Sequence, residues 1–195
     1  MILPIVGYGD PVLRKEGIEI TKDYPNLQEL IENMYQTMEN ASGVGLAAPQ
    51  VGLAIRLFVV DCSPFGDDED LSEEEQNKLK SLRKTFINAK ITNEEGEEWA
   101  FNEGCLSIPN VREDVMRKPI ITIEYFDENF EKHTEIFDGF GARVIQHEYD
   151  HIQGILFTDK ISTLKKKLNA KRLQNIMDGK VHPDYKMKFI NKRGR

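Results

Sequence analysis

The sequence predicts an α+β domain: antiparallel strands packed around one central helix, with a further helix towards the C-terminus. Two observations carry that expectation. Short runs rich in β-branched and aromatic residues recur, namely IRLFVVD (Ile55–Asp61), TFINAKIT (Thr85–Thr92), PIITIEYFD and FEKHTEIF. The segment between Asp138 and Gly154 carries apolar residues on more than one helical face (Phe140, Val144, Ile145, Tyr149 and Ile152), which marks a central helix rather than a surface one. Strands surrounding one buried helix give the α+β class.

Taken in order, the chain supports this arrangement. Thr21 or Asp23 can cap a first helix with Pro25 early in it, and Leu27, Leu30, Ile31, Met34, Tyr35 and Met38 then form one apolar stripe at helical spacing. That helix should stop near Ser42-Gly43. GVGLAAPQVG (Gly43–Gly52) reads as a loop whose small residues allow close backbone approach; it lacks the Lys-Ser/Thr ending of a phosphate loop. After the strand ending at Asp61, the acid-rich PFGDDEDLSEEEQNKLK reads as a surface insertion over about 64–84. Ser72 and Glu75 form a capping box for a short exposed helix there. A strand end follows at Trp99–Phe101, and the last two strand runs flank Asp127-Glu128-Asn129 as a hairpin, with His133 exposed on it. Asp138 is expected to cap the central helix and Gly154 to end it. After Ser162, Leu164, Leu168, Leu173 and Ile176 form the apolar stripe of a last helix.

Composition bounds the function. A chain of 195 residues, 39% hydrophobic and 30% charged, is ordinary for one globular domain with a tail. No apolar run approaches ~20 residues, and the start shows neither a secretory nor an organelle leader. A cytoplasmic location is expected, with no membrane or DNA partner. The 2 cysteines, Cys62 and Cys105, do not suggest a disulfide framework, and Cys62 beside a strand reads as core. Within the net charge of −7, residues 160–195 hold 12 Lys/Arg against 2 acids. A basic tail on an acidic body suits an anionic partner, although from charge alone a solvated helix face is the favoured explanation.

The chemistry centres on HEYDH (His147–His151). Histidines at i and i+4 share one helix face and can grip one metal ion. Glu148 points to the side of the pair, where it can take a proton from a metal-bound water without being a ligand. Burying these groups in an apolar helix without a partner would be costly. The protease patterns built on H-E-x-x-H need a third ligand downstream, but no Glu follows His151, and Phe157 stands where a third His would. Upstream, EGCLSIP (Glu103–Pro109) offers Cys105. A thiolate with two imidazoles leaves a position open for water or substrate, and admits iron as well as zinc.

GVGLAAPQ, EGCLS and HEYDH, in this order and spacing, resemble the three signature motifs of the peptide deformylases. The resemblance extends from GDPVLR near the start to IQGILF after the metal helix. It implies a hydrolase that removes the formyl group from the N-terminal formyl-methionine of new bacterial proteins. It implies Cys105, His147 and His151 as ligands of one divalent ion, usually Fe²⁺, with Zn²⁺, Ni²⁺ or Co²⁺ as substitutes. Glu148 would be the catalytic carboxylate, activating the metal-bound water. Gln50 and the Leu106 N–H would stabilise the oxyanion, and Gly45 would lie along the substrate backbone. Phe140, Arg143 and Val144 are expected around the methionine side chain, with the Arg143 charge reaching water past its packed stem. Arg112 is expected to meet substrate backbone or carboxylate, and Asp150 to orient a histidine or an arginine. Residues 1–160 would form the catalytic domain, and 161–195 a basic helix and tail that in this family can dock on the ribosome.

Two other classes compete with this reading. An H-E-x-x-H endopeptidase lacks its third ligand. An inactive metal-binding relative would leave Glu148, Gln50 and the Gly-rich segment without a purpose.

Overall fold

LFVVD is buried at every position because both faces of its sheet are covered. The computed structural model describes residues 1–190; the end of the basic tail lies outside the described residues. In chain order the elements are β1 (Ile5–Val6), α1 (Leu27–Asn40), β2 (Gly45–Ala47), β3 (Leu57–Asp61), α2 (Glu73–Lys80), β4 (Arg83–Glu95), β5 (Trp99–Cys105), β6 (Ile108–Arg117), β7 (Ile120–Phe126), β8 (Lys132–Asp138), α3 (Gly139–Ile152), α4 (Thr163–Met177) and β9 (Met187–Lys188). The main sheet is antiparallel, in the order β2-β3-β4-β7-β8. Successive residues of a strand face opposite sides. Leu57 and Val59 therefore join Ile31, Met34 and Met38 of α1, while Phe58 and Val60 join Ala142, Ile145 and Ile152 of α3. Each of these buried side chains larger than alanine stabilises the fold by roughly 1.5–3 kcal/mol.

Helix α3 is thus the central element. Its opposite face meets the β5–β6 hairpin, to which Arg143 and His147 are hydrogen-bonded. Helix α4 seats Leu173 and Ile176 against Val111 and Val115 of β6. The parallel pair β1–β9 joins the two ends of the chain through Ile5 and Met187.

Several local expectations change. Helix α1 begins at Leu27, after an Asn26 in the left-handed region (φ 53°) and without a side-chain cap. Thr21 to Tyr24 closes a turn instead (Tyr24 N–H to Thr21 O, 3.0 Å), and a residue before proline is biased away from helix. GVGLAAPQVG is not simply a loop: Gly45–Ala47 pairs with β3, and Ala48–Val51 forms a 3-10 turn. Strand β6 was not anticipated, because its polar residues alternate with only a few buried apolar ones. His133 is half-buried, held by Asp127 at 2.8 Å. Asp138 precedes α3 but makes no side-chain cap; its carboxylate pairs with Lys78 of α2 (2.9 Å). Leu164 and Leu168 are exposed at 68% and 72%, so only the C-terminal half of the α4 stripe is core. The capping box of Ser72 and Glu75 is present at the start of α2. Gly141 is small because a Cβ there would lie 2.8 Å from Leu82 Cδ2.

Candidate active site

Cys105 leaves β5 at a break in register between Gly104 and Cys105, immediately before the turn into β6. That turn is tied down from both ends of the chain: Tyr8 N–H donates to Ser107 O (2.8 Å) and Tyr185 Oη to Leu106 O (2.8 Å). On α3, His147 and His151 stand one turn apart with ring centroids 5.1 Å apart. Ligand atoms of Cys105, His147 and His151 all lie within 4.8 Å of one another, and Cys105 Sγ is 3.3 Å from His151 Nε2. A thiol and two imidazoles at this spacing suit a divalent ion. Burial holds the His151 pKa well below its ordinary value, which favours the neutral ring a metal needs.

The residue that organises this cluster is Glu103, on β5 and 4% exposed. Its Oε2 accepts from His147 Nδ1 (2.9 Å) and Arg117 Nη2 (3.0 Å), and its Oε1 from Arg117 Nε (2.7 Å) and Arg143 Nη1 (3.1 Å). With Nδ1 donating to Glu103, Nε2 is the His147 nitrogen left to face a metal. Burial alone would raise the Glu103 carboxyl, but the hydrogen bonds and charges of His147 and Arg117 outweigh it and hold it far below the usual carboxylate range. Asp150 extends the network by accepting from Arg117 Nη1 at 2.7 Å; of the two partners expected for it, it takes an arginine. Sequence reasoning missed Glu103 and Arg117 as site residues. The usable signal was an acid two places before Cys105, on a strand that must face the basic side chain of a buried helix.

Glu148 is 4% exposed, and its Oε2 is buried without a hydrogen-bond partner. Burial pushes its carboxyl up to about 7; His147 and Arg117 oppose the shift, while Glu103 and Asp150 add to it. A carboxylate so placed is suited to exchanging a proton near neutral pH. Glu148 also explains Gly45. A Cβ at Gly45 would meet Glu148, with Cγ at 2.6 Å and Oε1 closer still. The glycine thus makes room for the carboxylate as well as for any ligand along β2. Gly45→Ala is expected to displace Glu148 and lower kcat by roughly 10²-fold, with fold and metal content kept. Unchanged turnover in that variant would count against Glu148 as the proton carrier.

Gln50 is 1% exposed, and its amide is oriented. Oε1 accepts from Ala47 N–H (2.8 Å), which leaves Nε2 to face Cys105 Sγ and Ser107 Oγ, both at 3.4 Å. Leu106 follows in the turn, beside the thiol. These groups open on a cleft of about 470 Å³ that also contains Gly45, Arg112, Phe140, Arg143 and Val144, so the residues singled out from the sequence reach the cleft except Asp150 and His151. Phe65 and Phe101 line it too and were not anticipated. Arg143 does not reach water. It is 2% exposed, bonded to Val115 O (3.0 Å) and Trp99 O (2.7 Å), with its guanidinium 4.5 Å from the Trp99 ring centre. The charge stays inside because Glu103 and two carbonyls accept from its two terminal nitrogens, with only Nε left unpaired. Arg112 is exposed at the rim, bonded to Asn102 Oδ1 (3.0 Å) and Asn102 O (2.6 Å).

A second trio with ligand spacing, Asp127, Glu131 and His133, lies on the β7–β8 turn. Its Asp127 Oδ1 already accepts from the Asn129 and Glu131 N–H groups (2.9 Å each), so the turn itself accounts for that carboxylate. A hollow of about 560 Å³ between α2 and β8 has in its wall Glu74 and Asp138, both paired with Lys78.

Residues 2–167 match the profile of the polypeptide deformylase family. The chain is 69% identical over 196 residues to the peptide deformylase of Flavobacterium johnsoniae, covering 100% of both chains. It is 51% identical to that of Cytophaga hutchinsonii, over 99% of this chain and 100% of the other. Among solved structures it resembles the peptide deformylase of Thermus thermophilus, with a TM-score of 0.77 and 38% identity, over 90% of this chain and 98% of that one. The Legionella pneumophila peptide deformylase gives a TM-score of 0.77 and 34% identity, over 92% and 98%.

Proposed function

The chain belongs to the polypeptide deformylase family, and we propose on that basis that Cys105, His147 and His151 hold its divalent ion while Glu148 moves the proton the reaction needs. It is a metal-dependent enzyme that acts on formylated peptides. The observation that carries the assignment is the convergence of a thiol and two imidazoles, beside a buried carboxylate with one unpaired oxygen, at the wall of one cleft. Neither rival, an endopeptidase or an inactive metal-binding relative, is favoured by the comparisons.

When bound, a divalent ion supplies Lewis acidity, making a water acidic near neutral pH and drawing charge from a carbonyl oxygen. Glu148 takes the proton from the attacking water and passes it to the departing amine nitrogen. The formyl C–N bond then breaks, leaving formate and a free N-terminus. As the formyl oxygen gains charge, the Gln50 amide and the Leu106 N–H donate to it; the Gln50 group is held in place beforehand by Ala47. The peptide lies extended along Gly45 of β2, whose outer edge is unpaired in the main sheet. Phe140 and Val144 receive the side chain, with Arg143 as a closed wall behind them and Arg112 at the rim towards the following residues. A pocket of this make-up suits methionine, so the substrate we infer is the formyl-methionine end of nascent chains in a bacterial cytoplasm.

The ion we infer from membership of the deformylase family is Fe²⁺; one thiolate with two imidazoles accepts it, and Zn²⁺, Ni²⁺ and Co²⁺ are the substitutes. Protein purified without oxygen should contain one iron per chain and release formate from formyl-Met peptides. Air should remove iron and activity together, by oxidising Cys105, and Ni²⁺ added under reducing conditions should restore turnover. Iron-free protein with full activity, or metal-loaded protein with none, would overturn this assignment.

Residues 1–160 we take as the catalytic unit and 161–195 as its basic appendage, a ribosome-docking element. Lys166, Lys167 and Lys171 project from α4 beside the exposed Leu164 and Leu168. Exchanging the three lysines for glutamate should abolish co-sedimentation with ribosomes at low salt without lowering turnover of free peptides. Undiminished pelleting would refute the docking role.

A further inference from the structure

The acidic segment between β3 and α2 has no part in the chemistry above, yet it delivers one residue to the cleft. We propose that this segment is a specificity device: it presents Phe65 at the mouth of the side-chain pocket, where Phe65, Phe140 and Phe101 form an aromatic wall that selects a long thioether side chain. This rests on the deformylase reading and deepens it.

Phe65 lines the same cleft as Cys105, His147 and Glu148. Its ring centre is 5.2 Å from that of Phe140, which is 5.5 Å from that of Phe101, so the three rings form one continuous surface. Phe140 lies two helical turns before His147 on the same face of α3, which aims the surface at the reacting centre. Phe65 is nevertheless 43% exposed. An aromatic ring left open beside a substrate cleft is area that a substrate side chain can cover.

The segment holds this ring in place. Asp61 Oδ1 accepts from Ser63 N (2.9 Å) and Ser63 Oγ (2.6 Å), and its other oxygen pairs with Arg83. Phe65 N–H donates to Cys62 O (3.0 Å), closing a 3-10 turn. Gly66 then passes so close to α2 that a Cβ would lie 3.1 Å from Gln76 O and Lys80 N. Gln76 Nε2 donates back to Asp68 O (2.9 Å) and Leu71 O (3.2 Å), and Lys80 pairs with Asp67 (2.9 Å). Helix α2 therefore buttresses the turn that carries Phe65. A ring fixed in advance loses little freedom when it closes on a ligand. A methionine sulfur gains from aromatic edges at about 5 Å, beyond what its apolar area gives. Norleucine offers the area without the sulfur, and alanine offers neither.

The test compares formyl-Met, formyl-norleucyl and formyl-Ala tripeptides on metal-loaded wild type, Phe65→Ala and Phe65→Leu, with thermal unfolding and metal content as controls. Phe65→Ala should raise KM for the Met peptide roughly tenfold with kcat unchanged, and leave kcat/KM for the Ala peptide within about twofold. Phe65→Leu restores apolar area, so it should recover most of the affinity while bringing the Met and norleucyl peptides closer together than wild type does. Equal losses on the Met and Ala peptides, or no loss on either, would overturn the role of Phe65. A metal-loaded wild type that turns over none of the three would overturn the deformylase reading itself, and this proposal with it.

Discussion

Glu148→Ala is expected to lower kcat by about 10³-fold, within the 10²–10⁴ range for a positioned proton carrier, while the protein keeps its metal. The carboxylate is 4% exposed with one oxygen unpaired, so the folded protein gains little from it. A buried acid raised to about 7 by desolvation is a cost that stability alone does not justify. The variant should therefore unfold no more easily than wild type. Formate release in single turnover, with metal analysis on the same sample, checks this. A fall of less than about tenfold with metal bound would remove Glu148 from the chemistry. Loss of metal along with activity would instead make it part of the binding set.

Glu103→Gln should do the opposite: it should cost stability and metal before it touches the chemical step. Glu103 is the counter-charge of two buried arginines, at 2.7 Å from Arg117 Nε and 3.1 Å from Arg143 Nη1. Breaking a buried pair of this kind costs about 3–5 kcal/mol, because the remaining charges stay desolvated; Asp150 keeps Arg117 partly satisfied, which puts the cost towards the lower end. For a chain of this size that corresponds to a drop in Tm of roughly 10 °C. An uncharged amide with one acceptor oxygen for four donors holds His147 Nδ1 less firmly, which should weaken metal affinity about 10–100-fold. The pH dependence has a definite sign. The folded-state pKa of Glu103 is depressed, so its contribution is fully present above the ordinary glutamate value of 4.5 and is lost as pH falls towards the folded pKa. The variant's stability should therefore vary less with pH below about 4.5 than wild type's. Urea unfolding of the metal-free forms across acid pH, with a metal titration at pH 7, decides the matter. A stability change within about 1 kcal/mol and unaltered metal affinity would mean that the network around His147 is held by other groups.

Much of this protein is legible in the sequence, and the reason differs from element to element. Helix α3 is legible because apolar residues on several faces and two histidines at i and i+4 constrain each other within five residues. The β7–β8 hairpin and the start of α2 are legible because turn residues and a capping box are local devices. The start of α1 is not, since its N-terminus is set by the Thr21–Tyr24 turn and a left-handed Asn26 instead of a side-chain cap. The α4 stripe misleads because its leucines only roughly share a face, and the neighbouring strand decides which side of the helix is covered. Leu173 and Ile176 meet β6, and in the first half of the helix Asn169 and Lys165 meet Glu113 of β6, while Leu164 and Leu168 point away and stay exposed.

Motif chemistry and local propensity therefore determined which atoms are available: one thiol, two imidazoles on one face, a flanking carboxylate, and the strands and helix that carry them. The tertiary structure alone decided what each long side chain does. Arg143 turns inward to Glu103 instead of outward to water, Gly45 makes room for Glu148, and Phe65 crosses from a distant loop to the cleft. The physical reason is that the state of a charged or aromatic side chain depends on the partners and solvent around it. Those partners come from strands and helices tens of residues away, so no short window of sequence contains them.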